Sequence, residues 1–354
     1  MKVAIVIPSD INSAPYLNYY TDVLKRNGIP FHFISWNRKG NDSFPQSMDN
    51  SAYNLESAET MPLYRKYIDY RRFAAFVRKE LEKENYDFVI VHTIQASLFL
   101  GKYLKKHFNN RYIIDIRDYS KLLTIYKSRF HQYLKNSALN CVSSPGFLFW
   151  LPRDVEFTLS HNLRSSAVCN DYKYVPFDRN NIRILTIGQL RDYATNSRII
   201  DAFGDRNTII LLFAGNGNAK ESLEKLVLQR KYKNVLFTGR YRKEEEDDIV
   251  KRSDFINILL PTGVHDVNIM SNRFYLAVIH RKPMIVNEES IQAKYVEKYR
   301  LGVVVNEQDN ISEKLTQYID SFDADIFNEG CDLITKEISS EILLFEKKVE
   351  SCFS

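Results

Sequence analysis

Short, nearly continuous apolar runs alternate with helical stretches along almost the whole chain. This alternation restricts what the chain can fold into. The first half reads as repeated strand–helix units. Strands are expected at Val3–Pro8, Ile29–Trp36, Asp87–His92, Arg111–Asp118, Ala138–Pro145 and Phe157–Asn162. Helical spacing covers Tyr16–Asn27, which ends at Gly28, as well as Tyr64–Asn85 and Gln95–His107. Residues 37–62 are polar and rich in Asn and Ser, and read as a loop or insertion. A second series begins at Ile182–Gly188 and continues with strands at Asn207–Gly217, Asn234–Gly239, Phe255–Pro261, Pro283–Glu288 and Gly302–Asn306. Its helices are expected at Asn196–Phe203, Lys220–Gln229, Lys243–Arg252, Asn272–His280 and Ile291–Lys298. Apolar strands without polar alternation belong to parallel sheets covered on both faces. The expected fold is therefore α/β, with two doubly wound Rossmann-like domains.

The length of 354 residues suits two domains. The pattern places one over 1–165, a polar connection over 166–181 and a second over 182–330. An amphipathic stretch, Cys331–Lys348, lies beyond the last strand, and the segment 331–354 has the pattern to pack back on the first domain. The four cysteines, Cys141, Cys169, Cys331 and Cys352, have no metal-ligand or disulfide-framework spacing, which points to a reducing, cytoplasmic setting. The opening MKVAIVIPSD reads as a first strand, too short for a signal-peptide core. No apolar run has the length of a membrane span.

The formal net charge is +5, but Tyr64–Lys135 carries 16 Lys+Arg against 7 Asp+Glu. Aromatic residues are interleaved with this basic stretch. Nucleic acid, an anionic membrane surface or a phosphorylated substrate would each suit it, as would a solvated helix face. No nucleic-acid-binding motif accompanies it, so nucleic acid is not an expected partner.

Glycine is scarce, at 12 residues, yet Gly188, Gly215, Gly217 and Gly239 fall at expected strand ends of the second half. Ligands of open parallel sheets bind beyond the carboxyl ends of strands, where helix N-termini offer unpaired N–H groups to anions. Arg191 and Arg240 follow two of these glycines, while Ser271 and Asn272 suit an N-cap with Arg273 in the first turn. Together they suit a diphosphate. Dinucleotide-binding, P-loop, α/β-hydrolase and metalloprotease motifs are absent. No metal and no cofactor is expected.

The run from Gly188–Arg191 through LLFAGNGN, NVLFTGRY, SDFINILLP, SNRFYLAVIHRKPMIV and YRLGVVV resembles the carboxyl-terminal half of GT-B glycosyltransferases, especially family 4. It covers roughly residues 180–320, and IVIP, FVIVH, DIRD and VSSP in the first half are compatible with it. The resemblance implies transfer of a sugar from a nucleotide-diphosphate donor, UDP- or GDP-linked, held by the second domain. The acceptor lies on the first domain, with the reaction in the cleft between them and no metal. It implies donor contacts for Gly188, Arg191, Gly215, Gly217, Arg240, Ser271, Asn272 and Arg273. The family's paired glutamates are missing: Asn268 and Leu276 stand in their places, and Asp266 and His265 are the nearest polar substitutes. In the first half, Asp118 and His92 stand at expected strand ends and are the candidate bases for an acceptor hydroxyl. A capping or Arg117-paired role is the alternative for Asp118.

The expected function is therefore metal-independent glycosyl transfer to a glycan, lipid-linked and made for surface polysaccharide such as capsule or O-antigen, at the inner face of the cell membrane. The alternatives are a catalytically silent relative acting as a scaffold and a nucleotide-sugar epimerase. A periplasmic sugar-binding protein fits less well, since no export signal is visible.

Overall fold

All strand pairs among the described residues run parallel, in two sheets. The computed structural model describes Met1–Ser354 apart from residues 12–13, 15, 39–48, 58–60, 164–171 and 264. Its contacts divide into two compact units, Met1–Arg164 with Ser340–Ser354, and Ser165–Ser339.

The first unit contains β1 (Val3–Ile7), β2 (Phe31–Asn37), β3 (Asn50–Asn54), β4 (Phe88–His92), β5 (Tyr112–Ile116), β6 (Leu139–Val142) and β7 (Thr158–Leu159). Its helices include α1 (Leu17–Arg26), α2 (Leu63–Lys83), α3 (Ile94–His107) and α4 (Leu123–Lys135). The sheet order is β3-β2-β1-β4-β5-β6-β7. The chain thus winds outward from β1, then reverses, leaving a crevice where β1 meets β4. Every residue of β1, β4 and β5 is buried, as both faces are covered by other elements.

The second unit contains β8 (Ile182–Gln189), β9 (Ile209–Asn216), β10 (Val235–Gly239), β11 (Phe255–Asn257), β12 (Met284–Asn287) and β13 (Gly302–Val305). Its helices are α5 (Tyr193–Phe203), α6 (Lys220–Arg230), α7 (Glu246–Lys251), α8 (Asn272–Ile279), α9 (Ile291–Tyr299) and α10 (Ile311–Asp320). The order is β10-β9-β8-β11-β12-β13, with the reversal between β8 and β11. Leu211, Phe213, Ile199, Ile200 and Phe203 are central to its core.

A last helix, α11 (Ala324–Ser351), is longer than its apolar spacing suggests. From Ser340 its residues belong to the first unit, where Phe345 packs edge-on against Tyr19 and Tyr20. Glu346 and Glu350 pair with Arg26, and Glu341 lies 2.7 Å from His161.

Three local expectations are revised. Within the polar stretch 37–62, β3 forms an edge strand without an apolar run. Side-chain pairs Ser35–Asn50 and Asn37–Asn54 reinforce its register with β2. Residues 39–48 and 58–60 of that stretch lie outside the described residues. The strand expected to Pro261 stops at Asn257, because side-chain amides replace the ladder. Asn257 accepts from Leu259 N, and Asn287 bonds both Leu260 N and Leu260 O. The strand expected to reach Asp118 ends at Ile116. In the second unit, the described part of the inter-domain stretch is packed down: Tyr174 lies against Phe322, and Phe177 against Phe255.

Candidate functional site

In the second unit the crevice between β8 and β11 is occupied by one guanidinium. Arg273 lies in the first turn of α8, whose N-cap Ser271 accepts from Arg273 N at 3.3 Å. Ser271 N in turn donates to the side-chain oxygen of Gln292 on α9, which holds the cap in place. The Arg273 side chain reaches back to the strand ends. Nε donates to Ile187 O at 2.6 Å, Nη1 to Asn257 O at 3.3 Å and Nη2 to Gln189 O at 3.4 Å. Its acceptors are neutral carbonyls, and among the described residues it forms no ion pair with a carboxylate. Burial pushes its pKa down to about 10, with the Tyr241 hydroxyl opposing. The positive charge is thus positioned by the fold yet not neutralised by it. It stands beside a helix N-terminus that also favours an anion.

The strand ends beside it approach unusually closely. Gly188 and Gly215 are paired in the β8–β9 register and have φ of 100° and 144°. A Cβ on Gly215 would lie 1.8 Å from Gly188 O, so no side chain fits. Gly217 is packed against Leu190. Arg191 and Arg240 are exposed on loops after β8 and β10, and Asn272 is exposed at the start of α8. Asp266 folds onto its own turn: its N donates to Gly263 O, and a Cβ on Gly263 would meet its Oδ2 at 2.5 Å. The structure thus brings Arg273, Ser271 and the Gly188 and Gly215 strand ends together, while Asp266 closes a loop. Asn268 and Leu276 are both half-buried.

In the first unit the β1/β4 crevice carries a buried ionic cluster. His92 ends β4 and faces Asp115 of β5 across the register. Its Nδ1 lies 3.2 Å from Asp115 Oδ2, and both residues are fully buried. Asp115 Oδ2 accepts from the Tyr20 hydroxyl at 2.9 Å and from Arg117 Nη2 at 2.7 Å. Arg117 also donates to Ser160 Oγ at 2.7 Å and Ser160 O at 3.2 Å, and stacks 4.1 Å from the Tyr16 ring. Burial alone would raise the Asp115 pKa, but Arg117 and His92 outweigh it and hold the carboxyl well below the usual range. Burial pushes the His92 imidazole down against the pull of Asp115, so it is held neutral. Tyr16 and Tyr20 rings lie 5.4 and 5.3 Å from it. The next residue, Thr93, has φ +76°, strained for a β-branched residue, while capping α3 through Ala96 N.

Asp118 lies two residues beyond β5, exposed, and so does not end that strand. The carboxylate inside the sheet is Asp115, which the sequence reading passed over. Its signal is a lone charge inside an apolar strand with an arginine two residues on, since a buried carboxylate requires a partner.

Among the described residues no group of three or more His, Cys, Asp or Glu side chains is placed to hold a metal ion, and no helix is long and apolar enough to cross a membrane.

No protein-family model matches the chain, and no curated protein does. Solved structures do. Sucrose-phosphate synthase from Thermosynechococcus elongatus superposes with a TM-score of 0.72 at 13% identity, covering 100% of this chain and 99% of that one. Anabaena Alr3699/HepE in complex with UDP gives 0.67 at 11% identity, covering 100% and 99%. The lipopolysaccharide outer core galactosyltransferase WaaB, in its apo form, gives 0.65 at 13% identity, covering 97% and 99%. The fold is GT-B, with two Rossmann-like units. Sequence identities this low show the fold alone.

Proposed function

We propose that the protein is a glycosyltransferase that takes a sugar from a nucleotide-diphosphate donor. The observation that carries this reading is Arg273, an unneutralised cation fixed at the β8/β11 reversal by three backbone carbonyls. A diphosphate there receives the guanidinium charge and the N–H groups of α8. That combination stabilises negative charge as the sugar–phosphate bond breaks, without a metal. Gly188 and Gly215 keep the strand ends open to the ligand. Arg191, Gly217, Arg240, Asp266, Ser271 and Asn272 complete the proposed donor set around it.

The acceptor belongs at the β1/β4 end of the first unit. Asp118, exposed on the loop after β5, is the proposed base for its hydroxyl, whereas His92, the other expected base, is fully buried against Asp115, Tyr16 and Tyr20 and does not reach an acceptor. The donor is UDP- or GDP-linked. The acceptor is a glycan carried on a lipid in surface-polysaccharide assembly, and the protein works at the inner face of the cell membrane. The fold neighbour that acts on lipopolysaccharide outer core supports the acceptor reading, and the one in complex with UDP the donor reading.

Isothermal titration with UDP and with GDP, in the presence of a chelator, tests the donor site. One nucleotide should bind the wild type. Arg273→Met should bind it about 10- to 100-fold more weakly, the range for losing a hydrogen bond to a charged group. Equal affinity for wild type and variant would sink the proposal. A second reading, a binding subunit without turnover, is favoured by Asn268 and Leu276 at the positions of the family's glutamates. Nucleotide binding without sugar transfer or donor hydrolysis would select it.

A further inference from the structure

The first unit exposes large apolar side chains at the end of its sheet where the strands finish. Leu63 (71% exposed), Tyr64 (67%) and Ile68 lie on the first turns of α2, and Ile125 (74%) on the first turn of α4. Leu148 and Phe149 (78%) close the 3-10 turn Pro145–Phe149 that follows β6. In a parallel sheet every element that follows a strand starts at the same end, so these residues share one edge of the unit. They also adjoin. Tyr67 and Tyr70 on α2 pack against Phe99 on α3, and Tyr119 before α4 stands edge-on to Trp150, 5.4 Å away. A cavity of about 400 Å³ lies between α4 and the residues after the 3-10 turn, lined by Tyr119, Leu123, Phe130, Trp150 and Leu151.

Cations outnumber acids on this edge, where Asp118 after β5 and Glu56 after β3 are the exposed acids. From Tyr119 to Arg153 there is no Asp or Glu, and Lys121, Lys127 and Arg129 lie before or along the first half of α4, whereas Lys135 in its last turn pairs with Asp154. On α2, Arg65, Arg71 and Arg72 are exposed, and the acid among them, Asp69, is buried against Ser57. Among the described residues none of Arg65, Arg71, Arg72, Lys121 or Lys127 forms an ion pair. Exposed apolar groups set among unpaired cations that outnumber the acids match a surface that offers both negative charge and an apolar interior.

We infer that this edge, formed by the starts of α2 and α4 and the turn Pro145–Phe149, docks on an anionic lipid bilayer. Phe149, Ile125, Leu63 and Tyr64 enter the headgroup–acyl boundary, and Arg71, Arg72, Lys121 and Lys127 pair with lipid phosphates. A nucleic acid or an acidic protein would use the cations and leave the apolar groups in water. The inference gives the membrane reading above a specific surface, and it can fail without the donor site failing.

The test is co-sedimentation of the full chain with vesicles of phosphatidylcholine alone and of phosphatidylcholine with about 30% phosphatidylglycerol. Binding is expected only to the anionic vesicles, and is expected to weaken steeply in about 0.5 M salt. Arg71→Gln/Arg72→Gln/Lys127→Gln should lower partitioning about 100-fold, from roughly fivefold per cation. Ile125→Asp/Phe149→Asp should lower it at least about tenfold. Both residues of the second variant are exposed, and its melting temperature is the control for folding. Arg273→Met should bind vesicles like the wild type, since it changes only the donor site. Equal binding to neutral and anionic vesicles would overturn the inference. So would wild-type partitioning by the aspartate variant, which would show that Ile125 and Phe149 do not enter the bilayer.

Discussion

Replacing Arg117 with methionine isolates the energetics of the buried cluster at the β1/β4 reversal. The guanidinium supplies one of the two hydrogen bonds that reach Asp115 Oδ2, and Asp115 Oδ1 has no partner among the described residues. Arg117→Met leaves a fully buried carboxylate with only the Tyr20 hydroxyl and the neighbouring imidazole. Stranding one member of a buried ion pair costs about 3–5 kcal/mol, and the two bonds to Ser160 are lost as well. For a unit of this size that lowers the melting temperature by about 10 °C.

The pH dependence has a definite sign. In the wild type the Asp115 pKa is depressed, so its stabilisation is present above the unfolded value near 4 and lost only as pH falls through the lower folded value. In the variant, burial without Arg117 raises the folded pKa above the unfolded one. The destabilisation is then full at neutral pH and relieved as pH falls. The gap between wild type and variant should narrow from about pH 7 to pH 4. Asp115→Asn added to Arg117→Met should recover about 2 kcal/mol, because no charge is left buried. Calorimetry, with hydrogen exchange in β4 and β5 to assign the transition to the first unit, compares the wild type with both variants. A loss under about 1 kcal/mol, or a gap that widens in acid, would refute the reasoning.

Gly215→Ala forces a Cβ to within 1.8 Å of Gly188 O at φ 144°, and should destabilise the second unit by about 3 kcal/mol or more in thermal melts. His280 is buried beside Asp247, and burial pushes its pKa down to about 4. Below its unfolded pKa near 6.5 the unfolded chain takes up the proton first. The second unit should therefore lose up to about 3 kcal/mol between pH 6.5 and 4, and His280→Leu should flatten that slope. Phe345→Ala removes a buried ring packed on Tyr19 and Tyr20. It should cost the first unit about 3–5 kcal/mol, and limited proteolysis should then cut the chain after Ser340.

Most strands and helices were legible because a covered parallel strand must be apolar throughout, and a covering helix must be apolar on one side. Val3–Ile7, Phe88–His92 and Ile209–Asn216 needed nothing more. β3 was not legible: Asn50–Asn54 has no apolar run, and it is a strand because β2 offers it hydrogen bonds and matching side-chain amides. The Asn287 side chain likewise ends β11 early from a distant position in the chain, which no local pattern reveals.

The candidate sites divide in the same way. Gly188, Gly215, Ser271 and Arg273 could be named from the sequence, because glycines at strand ends and a Ser–Asn N-cap are local signals. That Arg273 turns back to bond Ile187, Gln189 and Asn257, while Asp266 closes its own turn, depends on how the second sheet is wound. In the first unit the sequence marked Asp118, but the sheet buries Asp115 and ends before Asp118. By itself the sequence determined the alternation, the two-unit α/β class and the sign of the charge between Tyr64 and Lys135. Only the tertiary structure decided which charges are paired and which are left exposed. Pairing depends on distances between residues far apart in the chain, and exposure depends on what packs above each side chain.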